Sequence, residues 1–144
     1  MARHSTQELL EILNSMETQE ELKVFTLASD EADMAVSFAD FFQEILKERG
    51  ISAGEAIRTA NIYRTYGYQI LSGQRKPGRD KVIALCLALT LSFEETQRAL
   101  KIADEAVLYP RRQRDSILIF CVQQKLTVSE TNELLFEMGE SPLA

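Results

Sequence analysis

Apolar residues recur at helical spacing along most of the chain. Over residues 6–16 they fall on one face of a helix, and the pair Thr18 and Glu21 predicts the capped start of a second short helix. After an acidic connector, ASDEAD, a third apolar pattern opens at Ser37 and stops at Gly50, a residue typical of helix ends. The pattern predicts an all-α protein.

The middle of the chain predicts two short helices joined by a tight corner. Ser52 and Glu55 have the spacing of a capping box for the first helix. Asn61 follows that helix, and asparagine tolerates the left-handed backbone that such a corner needs. The second helix, about residues 62–72, ends at Gly73. Two such helices, with one before and two after, form the helix-turn-helix arrangement.

The C-terminal half contains an internal repeat. Residues 79–108 align without gaps on residues 114–143, and nine of the 30 positions are identical. Each copy is predicted to be a helix, a turn and a second helix capped by Ser92 or Thr127. Because two copies are too few for a free-standing solenoid, each should pack on the rest of the protein.

Charge is unevenly distributed along the 144 residues, whose net charge is −6. Residues 1–36 carry −6, residues 37–81 carry +3 and residues 82–144 carry −3. Five basic residues and three tyrosines lie in the short stretch from 60 to 81. A polyanionic partner would therefore meet the middle of the chain.

The sequence offers little for catalysis or metal binding. It has one histidine, His4, and two cysteines, Cys86 and Cys121, inside apolar runs that predict buried thiols. It has no phosphate-binding glycine loop, and its hydroxyl residues have no recognisable activating partners. We expect no enzyme activity, no metal site and no cofactor.

Hydropathy and the N-terminal sequence bear on location. No apolar run approaches the roughly 20 residues that a membrane-spanning helix needs. The N-terminus also has no long apolar segment of a secretory signal. We therefore expect a cytoplasmic protein with no membrane partner.

Three segments resemble the Xre/Cro family, which has the lambda-repressor-like fold. They are G-I-S-x-x-E-A-I from Gly50 to Ile57, A-N-I at 60–62, and Q-I-L-S-G-Q-R-K-P from Gln69 to Pro77. The longer string Y-G-Y-Q-I-L-S-G-x-R-K-P-x-R-D-K, with L-Y-P-R-x-x-R-D downstream, is also similar to a group of small bacterial helix-turn-helix proteins described as regulators.

The resemblance implies a domain organisation. An acidic helical extension would occupy residues 1–36 and a lambda-repressor-like helix-turn-helix domain residues 37–103. A C-terminal helical hairpin, repeating residues 79–108, would occupy residues 104–144. The expected fold is thus a helix-turn-helix bundle extended at both ends.

The resemblance also implies which residues meet double-stranded DNA. A recognition helix presents its N-terminal residues to base edges in the major groove, and basic residues beyond its end hold phosphates. The base-edge candidates are Tyr63, Arg64, Thr65, Tyr68 and Gln69. The phosphate candidates are Arg58, Gln74, Arg75, Lys76, Arg79 and Lys81.

Each of these assignments has a structural alternative. Tyr63 and Tyr68 either pack or contact DNA, and Tyr66 is expected in the core together with Ile62, Ile70 and Leu71. Arg79 and Asp80 recur at the start of the second repeat, which favours a structural role such as helix capping. The basic cluster Arg111, Arg112 and Arg114 either touches DNA, binds a phosphorylated partner or is solvated, and the last is favoured.

Two functions remain open at this point. The first is a sequence-specific DNA-binding regulator that acts as a homodimer. The second is an adaptor that keeps the fold without binding DNA and contacts a protein partner through the repeat at 79–143. The second is favoured by the low pI, about 4.9, and by Ala53, which replaces a phosphate-holding glutamine of many relatives. Gly67 stands where the family usually has a branched apolar residue. Tyr66 or Tyr68 is predicted to fill the space left by the missing side chain.

Overall fold

The computed structural model describes residues 6–14 and 37–144. All regular secondary structure in these ranges is helical, which confirms the all-α prediction. The chain divides into two compact units between Ser37 and Phe38. The first unit contributes α1, Thr6–Asn14, where a helix over 6–16 was expected. The second short helix predicted after Thr18 and the acidic connector lie outside the described residues.

The second unit holds seven helices. They are α2 (Phe38–Arg49), α3 (Ala53–Thr59), α4 (Arg64–Leu71), α5 (Arg79–Ala88), α6 (Phe93–Ile102), α7 (Gln113–Gln123) and α8 (Val128–Glu137). In the ranges 6–14 and 37–144, no helix has the length and apolar composition required to cross a membrane.

Local sequence signals account for the ends of α2, α3 and α4. Gly50 ends α2 with a φ of +66°, and Asn61 turns the corner after α3 with a φ of 61°. The Ser52 hydroxyl accepts a hydrogen bond from the Glu55 N–H at 3.1 Å, which is one half of the predicted capping box. The core positions predicted on and before α4 are confirmed, because Ile62, Ile70 and Leu71 are buried; Tyr66 is only half-buried.

Helices α5–α6 and α7–α8 form two hairpins of the same construction. Complete capping boxes open α6 at Ser92 and α8 at Thr127, as the repeat predicted. The turn inside each hairpin uses a left-handed residue at the equivalent position, Thr90 or Lys125. Cys86 and Cys121 are buried and free, also as predicted. Burial raises the pKa of the Cys86 thiol to about 12, so this thiol is un-ionised.

The two hairpins contact each other reciprocally. Helix α6 of the first packs on α7 of the second, and α8 of the second packs on α5 of the first. Arg79 forms a bidentate ion pair with Asp115 at 2.9 and 2.8 Å. Arg114 forms the equivalent pair with Asp80 at 3.0 and 2.9 Å. Reciprocal contacts of this kind are the mark of a two-fold axis, here one that relates two halves of a single chain.

Main-chain contacts follow the same symmetry. The residue after the first hairpin, Tyr109, donates its N–H to Asp115, and the residue after the second, Ala144, donates to Asp80. The side chain of Arg79 also reaches the carbonyl of Ala106 at the end of its own hairpin. Each Arg–Asp step therefore joins three segments of the chain.

A structural role, such as helix capping, was favoured for Arg79, Asp80 and their counterparts in the second repeat. The side chains do have structural contacts, but each pairs across to the other repeat. The physical reason is that the helix starts of α5 and α7 lie side by side, which brings each guanidinium to the opposite carboxylate. The boundary proposed between residues 103 and 104 falls inside the compact unit 38–144.

Candidate nucleic-acid interface

The N-terminal turn of α4 presents a group of polar and aromatic side chains to solvent. Tyr63 occupies the N-cap and is 88 % exposed. Arg64, Thr65 and Tyr68 are exposed as well, and Gln69 is half-buried. These are the five residues predicted to face base edges, and the structure brings them together along one short helix.

Helix α4 sits very close to α3 because Gly67 lacks a side chain. A Cβ on Gly67 would lie 2.6 Å from Cγ2 of Ile57 and 2.7 Å from its Cγ1. Both residues are buried. The space at Gly67 is therefore filled by Ile57 and not by Tyr66 or Tyr68, as the sequence had suggested. The reason is that Ile57 points from α3 into the contact, whereas the neighbouring tyrosines leave α4 in other directions.

Tyr68 packs on α3 and is also accessible to solvent. Its hydroxyl lies over Gly54, where a Cβ would come within 2.9 Å of the oxygen. The Arg64 guanidinium stacks on its ring at 5.8 Å from the centroid. The ring is still 41 % exposed. Tyr68 thus packs on α3 and also lines the open groove between α3 and α4, together with Arg58 and Asn61.

The segment after α4 places several cations near one another. Arg75 and Lys81 approach the half-buried Tyr66 ring at 5.7 and 5.9 Å from its centroid, within cation–π range. Lys76 pairs with Asp104 at 3.3 Å, with both side chains largely exposed. Exposed pairs of this kind contribute about 0–1 kcal/mol, so Lys76 remains available to another anion. Gln74 is exposed.

Arg79 differs from the other predicted phosphate contacts. Its guanidinium already makes hydrogen bonds to both Asp115 oxygens and to the carbonyls of Ala106 and Val107. Phosphate binding would have to break this network. Arg79 therefore fits the structural role that its recurrence in the repeat favoured, whereas Arg58 on α3 is exposed, as a phosphate contact requires.

The carboxylates of the network are ionised. Burial acts to raise the pKa of Asp115, but Arg79 and the Tyr109 N–H outweigh it and the net shift is downward. For Asp80, burial is likewise outweighed by Arg114 and the Ala144 N–H, and its pKa is also lowered. The network therefore behaves as two ion pairs at neutral pH.

Some contacts of this surface had no clear sequence signal. Gly54 and Ile57 shape the groove, but neither has a pattern that reports contact with α4. The pairing of Asp104 with Lys76 also had no signal in the sequence. One signal in the repeat could have pointed to the ion-pair network. The dipeptide Arg–Asp occurs at 79–80 and again at 114–115, so each repeat offers a cation and an anion to the other.

Across the described ranges, no group of three or more His, Cys, Asp or Glu side chains is placed to hold a metal ion. No family model, no curated protein and no solved structure matches the chain.

Proposed function

We propose that the protein is a sequence-specific DNA-binding transcriptional regulator with a lambda-repressor-like helix-turn-helix. The observation that carries this proposal is the cluster of exposed side chains at the start of α4, led by Tyr63 at 88 % exposure and by Arg64. A large aromatic residue and an arginine exposed beside a left-handed corner suit a helix that enters the major groove. In this proposal the chain is a cytoplasmic, non-enzymatic protein that needs no cofactor.

The exposed side chains divide into two roles. Arg64 suits bidentate contact with guanine O6 and N7, and Gln69 suits adenine N6 and N7. Each such contact contributes roughly 1–3 kcal/mol of discrimination against the wrong base. Arg58, Arg75 and Lys76 suit phosphates, which position the protein without reading sequence. Lys81 is half-buried against Tyr66, so its contribution would be to the local field rather than to a direct contact.

A homodimer completes this proposal. A recognition helix of eight residues buries little surface by itself, and tight specific binding is usually reached by pairing two half-sites. The second hairpin offers apolar side chains for such a contact: Phe120, Phe136 and Met138 are 50, 78 and 49 % exposed. The equivalents of Phe120 and Met138 in the first hairpin, Leu85 and Ala103, are buried.

A second candidate function rests on the same apolar side chains. Helices α2 and α3 pack on the first hairpin, whereas within the unit 38–144 no helix outside the two hairpins packs comparably on α7 or α8. Exposed aromatic residues are typical of protein-binding surfaces. An adaptor that uses this surface for a different protein, without binding DNA, would also explain the acidic composition.

Selection from a random duplex pool, at low and at moderate salt, distinguishes the two functions. A regulator enriches one motif, a dimer enriches a palindrome, and affinity falls steeply with salt. Arg64→Ala with Gln69→Ala should lose the sequence preference, while Arg75→Ala with Lys76→Ala should keep the preference and weaken binding to all sequences. Absence of binding even at low salt would overturn the DNA proposal and favour the adaptor.

A further inference from the structure

The two-fold relation between the hairpins has a consequence for the linker at 109–112. Lys76 precedes Arg79 by three residues, and Arg111 precedes Arg114 by the same number. The two-fold axis exchanges Arg79 and Arg114, but the segments before them differ in backbone: α5 begins at Arg79 after an N-cap at Gly78, whereas α7 begins one residue before Arg114 after an N-cap at Arg112. The two basic segments are therefore related by their sequence spacing from Arg79 and Arg114 and by the neighbouring helix starts, not by a strict rotation.

The helix starts of α5 and α7 lie close together. Arg114 on α7 reaches Asp80 on α5 at 2.9 Å, and Arg79 reaches Asp115 at 2.8 Å. The basic residues just before each helix therefore flank the axis from opposite sides. Arg75 and Lys76 precede one helix start, and Arg111 and Arg112 precede the other, so a duplex that spanned both helix starts would bring phosphates to both basic pairs.

The charge of the second linker is less compensated than that of the first. Lys76 pairs with Asp104, but the repeat position equivalent to Asp104 is Gly139, which has no carboxylate. Arg111 and Arg112 are both exposed. The nearest carboxylate to Arg112 in sequence, Asp115, is already held by Arg79. These two arginines form a cationic site with free donors.

We propose that Arg111 and Arg112 form a second phosphate-binding site, which contacts the backbone of the same DNA duplex as Arg75 and Lys76. This inference rests on the proposed function, because it places the second site on the duplex that α4 reads. Arginine suits the site because its planar guanidinium binds phosphate oxygens in pairs. The repeat would then act as an extension of the DNA-binding surface, in addition to any role in dimerisation.

The test is the salt dependence of DNA affinity for Arg111→Ala with Arg112→Ala, measured on the motif that the wild-type protein selects. Loss of two phosphate contacts should lower the slope of log affinity against log salt by about 1.8, with the preferred sequence unchanged. A matched control, Lys47→Ala with Lys125→Ala, removes the same charge from exposed positions elsewhere. Helix α2, which carries Lys47, ends beside Leu89, and Lys125 lies in the turn of the second hairpin; both are far along the hairpins from the starts of α5 and α7.

Each outcome decides the proposal. An unchanged slope in the test variant, or an equal fall in the control, overturns the second site and leaves the proposed function intact. A wild-type protein without salt-dependent DNA binding overturns both. Arg111→Lys with Arg112→Lys should retain the slope, because the charge is kept; a slope as low as that of the alanine variant would mean a structural effect and would also overturn the site. Thermal unfolding of all variants should match the wild type, since the changed residues are exposed.

Discussion

Arg79 and Asp115 lie 36 residues apart in sequence and meet in a fork-to-fork ion pair, with Nη1–Oδ1 at 2.9 Å and Nη2–Oδ2 at 2.8 Å. The equivalent pair in the repeat, Arg114 and Asp80, has the same geometry. The two differ in burial: the Asp115 side chain is 4 % exposed and that of Asp80 is 20 % exposed. The difference makes the two carboxylates unequal in their expected effect on stability.

Removing the more buried carboxylate should lower the free energy of unfolding more than removing the less buried one. Asp115→Ala leaves a largely buried guanidinium and the Tyr109 N–H without their acceptor, and we expect a loss of about 3–5 kcal/mol in the free energy of unfolding. Asp80→Ala should cost about 1.5–3 kcal/mol, because water can replace part of the lost contact. Urea unfolding measures both, and Glu133→Ala, at an exposed position, provides the control. Equal losses, or the reverse order, would contradict the structural account.

The same carboxylates predict a dependence of stability on acid. Both have a pKa below the unfolded value, so their contribution is present above the unfolded pKa and is lost as pH falls through the folded pKa. The gap in melting temperature between the wild type and Asp80→Asn with Asp115→Asn should therefore be large at neutral pH. It should shrink as pH falls below about 4. A difference in melting temperature that stays constant from pH 7 to pH 2 would contradict the prediction.

A side chain at Gly67 should disturb the packing of α4 on α3. Gly67→Ala places a methyl group against the buried Ile57, and overpacking of this kind costs about 1–3 kcal/mol, more than the roughly 1 kcal/mol gained in helix propensity. Ile57→Ala alone leaves a cavity and costs about 2–5 kcal/mol. The double variant should lose less than the sum of the two, because the new methyl group occupies part of the cavity. Additive losses would show that the two residues do not share this space.

Gly78 offers a control for that experiment. It is the N-cap of α5, and a Cβ there has no neighbour within 4 Å. Gly78→Ala therefore adds a methyl group without a clash, and its cost should not exceed the roughly 1 kcal/mol that alanine costs at an N-cap.

The apolar side chains of the second hairpin should control self-association. If Phe120 and Phe136 lie at the centre of a dimer contact, Phe120→Gln or Phe136→Ser should raise the dimer dissociation constant at least about tenfold. Sedimentation over a range of concentrations measures this effect, and circular dichroism checks that the fold is kept. Tyr109→Ser removes an aromatic residue that is 50 % exposed outside the two hairpins and should have little effect. A wild-type protein that stays monomeric at all concentrations would contradict the dimer.

Much of the fold could be predicted because its signals are local. The corner at Asn61, the stop at Gly50 and the caps at Ser92 and Thr127 each depend on residues within four positions of one another. Backbone preference and side-chain capping act at that range, so they can be read along the chain. The candidate DNA-reading residues were grouped in the same way, because they share the first turns of one helix.

The sequence by itself determined the helices, the corner and the existence of two similar hairpins. Tertiary structure alone decided that Ile57 fills the space at Gly67, that Arg79 is engaged by Asp115, and that Arg114 is engaged by Asp80. These relations join residues that are distant along the chain, and helical periodicity does not specify which face of one helix meets which face of another. They depend on how the helices pack, and packing is settled by shape and charge complementarity in three dimensions.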